Sequence, residues 1–398
     1  MDGNVAGLIL SGGAAYAAYE VGVIRALFNG QGPSTGYRPL SPQVISGTSA
    51  GAFSAALIAS TADRGLSSAA EQLADVWLDE LADLGDDCGN GVFRFRANPL
   101  DAFGLGCARV AAGRQIARLE SDGAFLAGNF VERAARFFTT DVSLQQRMLE
   151  LIDVTAVIST DPFTEVIRRN IRLDRIRSSP IRLLIAAANW KTGKLRLFRN
   201  EEMTDAEGHN IVCASAAAPG IFDSVDVGGE PYVDGGVVMN TPLKGAIDAG
   251  CDTMHIIYIN PDLVRIPLPR VRNTINAMFR ALLISLATMA NRDLEVARQV
   301  NVGLAALQRA DQLAAPSEVK AMIKQLSGMV RHLRDASAPY RFLTIHRYSP
   351  REMIGGLYRW LSFGRDHLLE LMQRGYADAL SHDCAESGCV IGGDVAGA

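Results

Sequence analysis

Lysine is the rarest charge in this sequence. Five lysines (Lys191, Lys194, Lys244, Lys320 and Lys324) stand among 39 basic residues, a compositional bias that carries no function by itself. Basic residues do not exceed acidic ones: the formal net charge is −4, which argues against a general nucleic-acid-binding surface and leaves room for a local basic patch. Cysteine is sparse and scattered. Six cysteines in 398 residues form no CxxC pair, which excludes a disulfide scaffold and a dithiol redox motif. No basic segment precedes an apolar core at the N-terminus, so no signal peptide is expected, and reducing cytoplasm is the expected compartment. No apolar run approaches the roughly 20 residues of a bilayer span. The most apolar stretch covers residues 281–290 between Arg280 and Asn291, so any contact with a membrane is expected to be peripheral.

The rest of the composition is that of a folded globular chain, with 48% apolar and 21% charged residues. Residues 5–10 form a short apolar run, and Ser11-Gly12-Gly13 turns the chain. Tyr19, Val23, Ala26 and Leu27 then recur at helical spacing up to Asn29-Gly30. A second unit follows: an apolar Val44-Ile45-Ser46, a glycine turn, and a small-residue helix over residues 50–60. Strand, turn and helix twice in succession predict an α/β fold with parallel strands. Further strands are expected at 155–158, 181–187, 195–198, 253–259 and 342–346, and long helices at 272–310, 317–334 and 364–380. The tail from Ser381 is small, polar and glycine-rich, and is expected to fray.

Three short segments carry candidate chemistry. Gly47-Thr48-Ser49-Ala50-Gly51 lies between a predicted strand and a predicted helix. There a serine is pushed out of the sheet, above the free N–H groups of a helix N-terminus. On its own the pentapeptide equally fits a small-residue turn. Ser11-Gly12-Gly13-Ala14 bares consecutive backbone N–H groups, able to hold a phosphate or an oxyanion. Neither GxGxxG nor Gly-Lys-Ser/Thr is present, which argues against a nucleotide. Asp234-Gly235-Gly236 follows a probable strand and, alone, reads first as a solvated turn.

Taken together and in order, these segments resemble the patatin-like phospholipase family. Leu10-Ser11-Gly12-Gly13 with Tyr19-Glu20-Val21-Gly22-Val23 is similar to its first loop and helix. Residues 45–52 are similar to its nucleophile elbow, residues 214–222 to its Ala-Ser-x-Ala-x-Pro segment, and Tyr232-Val233-Asp234-Gly235-Gly236-Val237 to its Asp-Gly-Gly block. The resemblance implies a three-layer α/β/α fold with a mostly parallel central sheet and added helices. It implies a catalytic domain over 5–260 with a helical insertion at about 66–150. A mainly helical extension over 261–380 and a flexible tail over 381–398 complete the expected organisation. The implied activity is hydrolysis of lipid carboxylic esters of phospholipase A or lysophospholipase type. Ser49 is then the nucleophile, Asp234 its base without a histidine, and Gly12, Gly13 and Ala14 the oxyanion hole. Gly47 and Gly51 shape the elbow, Gly235 and Gly236 the aspartate turn, and no metal or organic cofactor is implied. The expected partner is a lipid ester. Asn273 to Val300 is the candidate for membrane contact, because Ile275, Phe279, Leu282, Leu283 and Leu286 fall at helical spacing; packing on the core is the other reading. The sequence carries no signal of oligomeric state.

The chain departs from the family pattern where the loop has Ala14 for glycine and Tyr16 for a cation. Two other readings follow from the residues. Ser49, Asp234 and His255 stand in the chain order of a Ser-His-Asp α/β-hydrolase, although His255 falls inside an apolar strand. The altered loop allows a non-catalytic module that binds lipid or a partner. Arg168, Arg169, Arg172, Arg175, Arg177 and Arg182 crowd one segment, which reads first as a solvated helix face and second as a contact for lipid phosphates. His382, Cys384 and Cys389 suggest metal by type, but their spacing matches no standard zinc pattern.

Overall fold

The apolar run at the start becomes a buried parallel strand, β1 (Ala6–Leu10). It leads through a tight turn into α1 (Ala18–Phe28), a helix buried along nearly its whole length. β2 (Val44–Thr48) and α2 (Ala50–Thr61) repeat the unit, and α3 (Leu66–Val76) follows. The computed structural model describes residues 5–83, 90–96, 121–128, 131, 158–259, 274–312, 319, 321–322, 325, 342–351 and 359–392. Most of the expected 66–150 insertion and of the 317–334 helix lies outside these residues.

The chain continues through α4 (Asp161–Asn170) and α5 (Leu173–Ser178) into β3 (Arg182–Asn189) and β4 (Leu195–Arg199). After α6 (Gly208–Ser215) come β5 (Val225–Val227) and β6 (Glu230–Asp234). α7 (Leu243–Asp248), β7 (Thr253–Ile257), α8 (Thr274–Gln312), β8 (Thr344–Tyr348), α9 (Arg365–Leu380) and α10 (Cys384–Ser387) complete the order. The sheet runs β8-β7-β1-β2-β3-β6-β5, with β4 also on β3. The pairs from β8 to β3 are parallel; β4, β6 and β5 are antiparallel. The strand at 225–227 is absent from the sequence reading because three residues are too few to show a period.

Alternation along the strands builds two cores. Leu8, Leu10, Ile45, Leu183 and Ile185 face one layer with α1, α2, α3 and α9. Ile9, Val44, Leu184, Met254 and Ile256 face the other, against Leu243 and Ala246 of α7 and Leu294 and Ala297 of α8. The result is three layers, with helices on both faces as a parallel sheet requires. Among the described residues no helix is long and apolar enough to cross a membrane. The side chains of Ile275, Phe279, Leu282, Leu283 and Leu286 lie outside the described residues.

One expectation is corrected. The tail does not fray at Ser381: α10 is capped by the Asp383 carboxylate, which accepts from Ala385 N and Glu386 N. Val390 pairs with Ile345 of β8 through two backbone hydrogen bonds. The physical reason is that β8 is an edge strand, and an unpaired edge is covered by whatever chain reaches it. The arginine-rich segment, by contrast, is largely ion-paired at the surface: Arg169 with Glu80, Arg172 with Asp174, Arg175 with Asp63 and Arg177 with Asp205.

The closest helix contact is between α1 and α9. A Cβ on Gly22 falls 1.9 Å from Met372 O, and one on Gly375 falls 2.0 Å from Tyr19 O. Two glycines thus let the helix backbones touch. Gly22→Ala or Gly375→Ala should force the helices apart and lower stability by about 2 kcal/mol or more. Urea unfolding of the two variants checks this.

Candidate active site

The site forms where two strands end against one another. Within β3, residues 182–186 pair with β2 and residues 187–189 pair with β6. β4 occupies the other edge over residues 184–188, so β2 and β6 share one edge, head to head. Thr48 stands opposite Ala186 and Asp234 opposite Ala187. Consecutive positions on β3 therefore bring the residue after Thr48 to Asp234. The Ser49 hydroxyl lies near enough to the Asp234 carboxyl to favour its ionised form.

Ser49 sits on the sharp turn expected of it, with φ 57° and ψ −125°. That left-handed conformation costs a non-glycine residue on the order of 1–3 kcal/mol. Packing holds it. A Cβ on Gly47 meets Gly51 O at 2.4 Å, and one on Gly51 meets Ser11 O at 2.6 Å. Both glycines are needed so that the elbow can press on the first loop. The Ser49 amide donates to Ser215 Oγ at 2.9 Å, and Ser215 Oγ–H donates to Ala186 O at 2.6 Å. Ser215 thus ties the elbow to β3, a role its sequence motif did not reveal.

Asp234 is 8% exposed. Burial pushes its carboxyl up from the ordinary carboxylate range to about 6, while the Ser49 hydroxyl and the Gly236 N–H, 2.7 Å from Oδ1, pull the other way. Gly235 packs against β3, where a Cβ would meet Ala186 O at 2.5 Å. The Asp-Gly-Gly turn is therefore buried, not solvated.

The first loop keeps two of the three expected free amides. Gly12 N donates to Asn240 Oδ1 at 3.0 Å, and Asn240 Nδ2 donates back to Gly12 O at 3.2 Å. The Gly12 N–H, expected in the oxyanion hole, is thus engaged by Asn240. Gly13 N and Ala14 N donate to no acceptor among the described residues. Ala14 adopts φ 46°, so alanine takes the left-handed shape that glycine holds more cheaply. Tyr16, at the position of the family's cation, is buried with its ring edge toward His367. Below the loop, Glu20 accepts from Ser11 N at 2.7 Å and from Ser11 Oγ at 3.0 Å. Burial drives its carboxyl well above the usual range, which favours the neutral form, and Glu20 braces the loop through both bonds to Ser11. Asn240 was missed because nothing but its place six residues after Asp234 marks it.

A cleft opens beside Ser49, lined by Ala14, Phe53, Trp77, Phe163, Phe222 and Trp360 among others. No histidine lines it among the described residues. His255 is instead buried in β7, with Nδ1 2.9 Å from Tyr348 Oη and its ring stacked on His346. Burial lowers its pKa to about 3. The serine–histidine arrangement is thus not formed. His382, Cys384 and Cys389 are brought together with His346, apart from this cleft.

The family model for patatin-like phospholipases matches residues 8–247. The chain belongs to the patatin-like phospholipase family, a family of lipid-acting hydrolases, and its three layers are that family's α/β/α fold. No curated protein matches the chain. Solved structures give remote likenesses. VipD from Legionella pneumophila has a TM-score of 0.35 at 15% identity, covering 93% of this chain and 67% of that one. The heterodimeric ExoU–SpcU complex of the type III secretion system of Pseudomonas aeruginosa has a TM-score of 0.25 at 16% identity, covering 95% and 74%.

Two substitutions test the supports of the loop. Asn240→Ala removes the 3.0 Å side-chain acceptor of Gly12 N–H, leaving it the 3.4 Å backbone carbonyl of residue 240, and takes away the donor to Gly12 C=O; it should cost about 1–3 kcal/mol in stability. It should also lower kcat for ester hydrolysis about 10²-fold through the displaced loop. Glu20→Gln copies the neutral carboxyl and should keep stability within about 1 kcal/mol, whereas Glu20→Ala, which strips Ser11 of its partner, should lose about 1–3 kcal/mol. Chemical denaturation and steady-state hydrolysis report both.

Proposed function

We propose that the protein is a serine lipid acyl hydrolase, acting on carboxylic esters of phospholipids or lysophospholipids through Ser49 and Asp234. The observation that carries this reading is the meeting of a strained, half-buried serine with a buried aspartate at the adjoining ends of β2 and β6, beside a cleft that no histidine lines among the described residues. Asp234 takes the Ser49 proton as Oγ attacks the ester carbonyl carbon. The oxyanion lies against the Gly13 and Ala14 amides. On collapse, the Asp234 proton passes to the leaving alkoxide and an acyl-serine remains. Water then gives its proton to Asp234, attacks the acyl carbon and releases the fatty acid as Ser49 recovers its proton.

A free carboxylate is a weak base, with a pKa of about 3.9. Burial raises Asp234 to about 6, closer to the working pH and therefore better matched to the task. The aromatic wall of Phe53, Phe163 and Phe222 suits an acyl chain more than a polar substrate. Ala14 reproduces the positive φ of the missing glycine, which disfavours a non-catalytic reading of the loop. The reaction needs neither metal nor organic cofactor. A lipid substrate implies peripheral membrane contact, for which Asn273 to Val300 is the sequence candidate, with packing on the core as the other reading. The free thiols of Cys213, Cys251, Cys384 and Cys389 suit a cytoplasmic compartment.

Ser49→Ala and Asp234→Asn should each abolish hydrolysis of phospholipid esters, and the double variant should be little worse than either alone. Because Asp234 must be ionised to act, kcat/KM should fall as pH drops through about 6, and no limb should vanish with any histidine. Replacing the six histidines singly should leave activity within about tenfold. Lipid profiling by mass spectrometry with wild type and Ser49→Ala reads the substrate class. A folded Asp234→Asn protein that keeps most of its activity overturns the dyad.

A further inference from the structure

At the far edge of the sheet, remote in strand order from the Ser49 cleft, four side chains converge. They are His346 of β8, His382, Cys384 at the start of α10, and Cys389. Their ligand atoms all lie within 4.8 Å of one another. Cys384 Sγ is 3.4 Å from His346 Nδ1 and 3.5 Å from His382 Nε2; Cys389 Sγ is 3.4 Å from the same His382 nitrogen. Neither cysteine is in a disulfide. A tetrahedral zinc ion, at about 2.3 Å from sulfur and about 2.0 Å from nitrogen, sets sulfur–nitrogen edges of roughly 3.5 Å. The three sulfur–nitrogen separations are those edges.

The backbone is shaped to make this cluster. Asp383 caps α10, and Gly388, at φ 67°, ends it in the left-handed conformation. That single turn folds Cys389 back so that its amide donates to Cys384 O at 3.0 Å. The Gly388 carbonyl is held by Arg298 of α8 at 2.7 Å. The Arg347 amide donates to Cys389 Sγ at 3.2 Å, a donor placed where a metal-bound thiolate needs one. His346 is fixed by stacking on His255, and the His382 ring lies 4.6 Å from that of Tyr348.

We propose that His346, His382, Cys384 and Cys389 bind one zinc ion in a closed Cys2His2 site that pins the C-terminal segment to edge strand β8. Two thiolates and two imidazoles select zinc over the oxygen-seeking cations. Four protein ligands leave no open position, so the role is structural. Binding converts two thiols to thiolates, and both protons go to solvent. Sequence spacing hid the site because His346 comes from a strand 36 residues before His382.

The test uses the full chain, purified under reducing conditions without chelator. Metal analysis should find about one zinc per chain, released when the thiols are titrated with a mercurial. Cobalt(II) loaded in its place should give the intense visible bands and thiolate charge transfer of a tetrahedral site. The Cys384→Ser/Cys389→Ser protein should hold no zinc, while Cys213→Ser should keep it. A strong chelator should lower the Tm of wild type and leave that of the double variant unchanged. If the double variant does not fold, zinc content and the cobalt spectrum of wild type still decide. Three outcomes overturn the site: wild type that neither carries zinc nor shows a tetrahedral cobalt spectrum, zinc retained by the folded double variant, or a Cys384–Cys389 disulfide under reducing conditions.

Discussion

Two strands running toward each other along one edge of β3 are the constraint on which the site depends. β2 arrives parallel and stops at Thr48; β6 arrives antiparallel and stops at Asp234. Because the ladder fixes register, the residues at the two ends meet without a long loop to position them. Serine and aspartate are thereby held by backbone hydrogen bonds of the sheet itself, which is more rigid than any placement by flexible side chains. A one-residue slip of β6 would turn the Asp234 side chain to the opposite face. Ser215, bridging Ser49 N to Ala186 O, locks the same junction from the side.

The junction also sets the electrostatics. Closing two strand ends together removes water, and Asp234 then titrates near 6. Full burial without partners would push it further and leave it protonated at neutral pH, unfit for the base role proposed for it. The Ser49 hydroxyl and the Gly236 amide hold it back. Glu20 shows the contrast: it too receives two hydrogen bonds, from Ser11 N and Ser11 Oγ, yet desolvation outweighs them and drives its carboxyl well above the ordinary range. The two buried carboxyls are separated by how far desolvation outweighs the hydrogen bonds each receives.

Much of this was legible in the sequence. The two β-turn-α units and the sharp turn at Ser49 are local patterns, written in glycine spacing and short apolar runs, whereas the aspartate turn, which alone reads as solvated, is buried against β3. What was not legible depends on residues distant in the chain. Asn240 clamps Gly12 across 228 positions, and its partner cannot be read from spacing. The antiparallel pairing of β6 with β3 leaves no mark on strand composition, since both strands are buried. The tail was read as frayed because its small polar residues predict that, while its actual order comes from β8 and α8.

The two ends of the molecule solve different problems with the same sheet. At the C-terminal ends of β1 and β2 the strands stop early, and the space beyond them becomes a cleft; this is where open α/β sheets place ligands. At the β8 edge the problem is the reverse, an exposed row of backbone groups that must be covered. Hydrogen bonds between Val390 and Ile345 cover one stretch of it, but a single bridge next to a four-residue helix buries little apolar surface. Such a segment cannot hold itself by hydrophobic contact, since its described residues are mostly polar or half exposed. The zinc ion proposed at His346, His382, Cys384 and Cys389 would supply what apolar burial does not. It would hold residues 382–389 against the sheet without adding a strand to it.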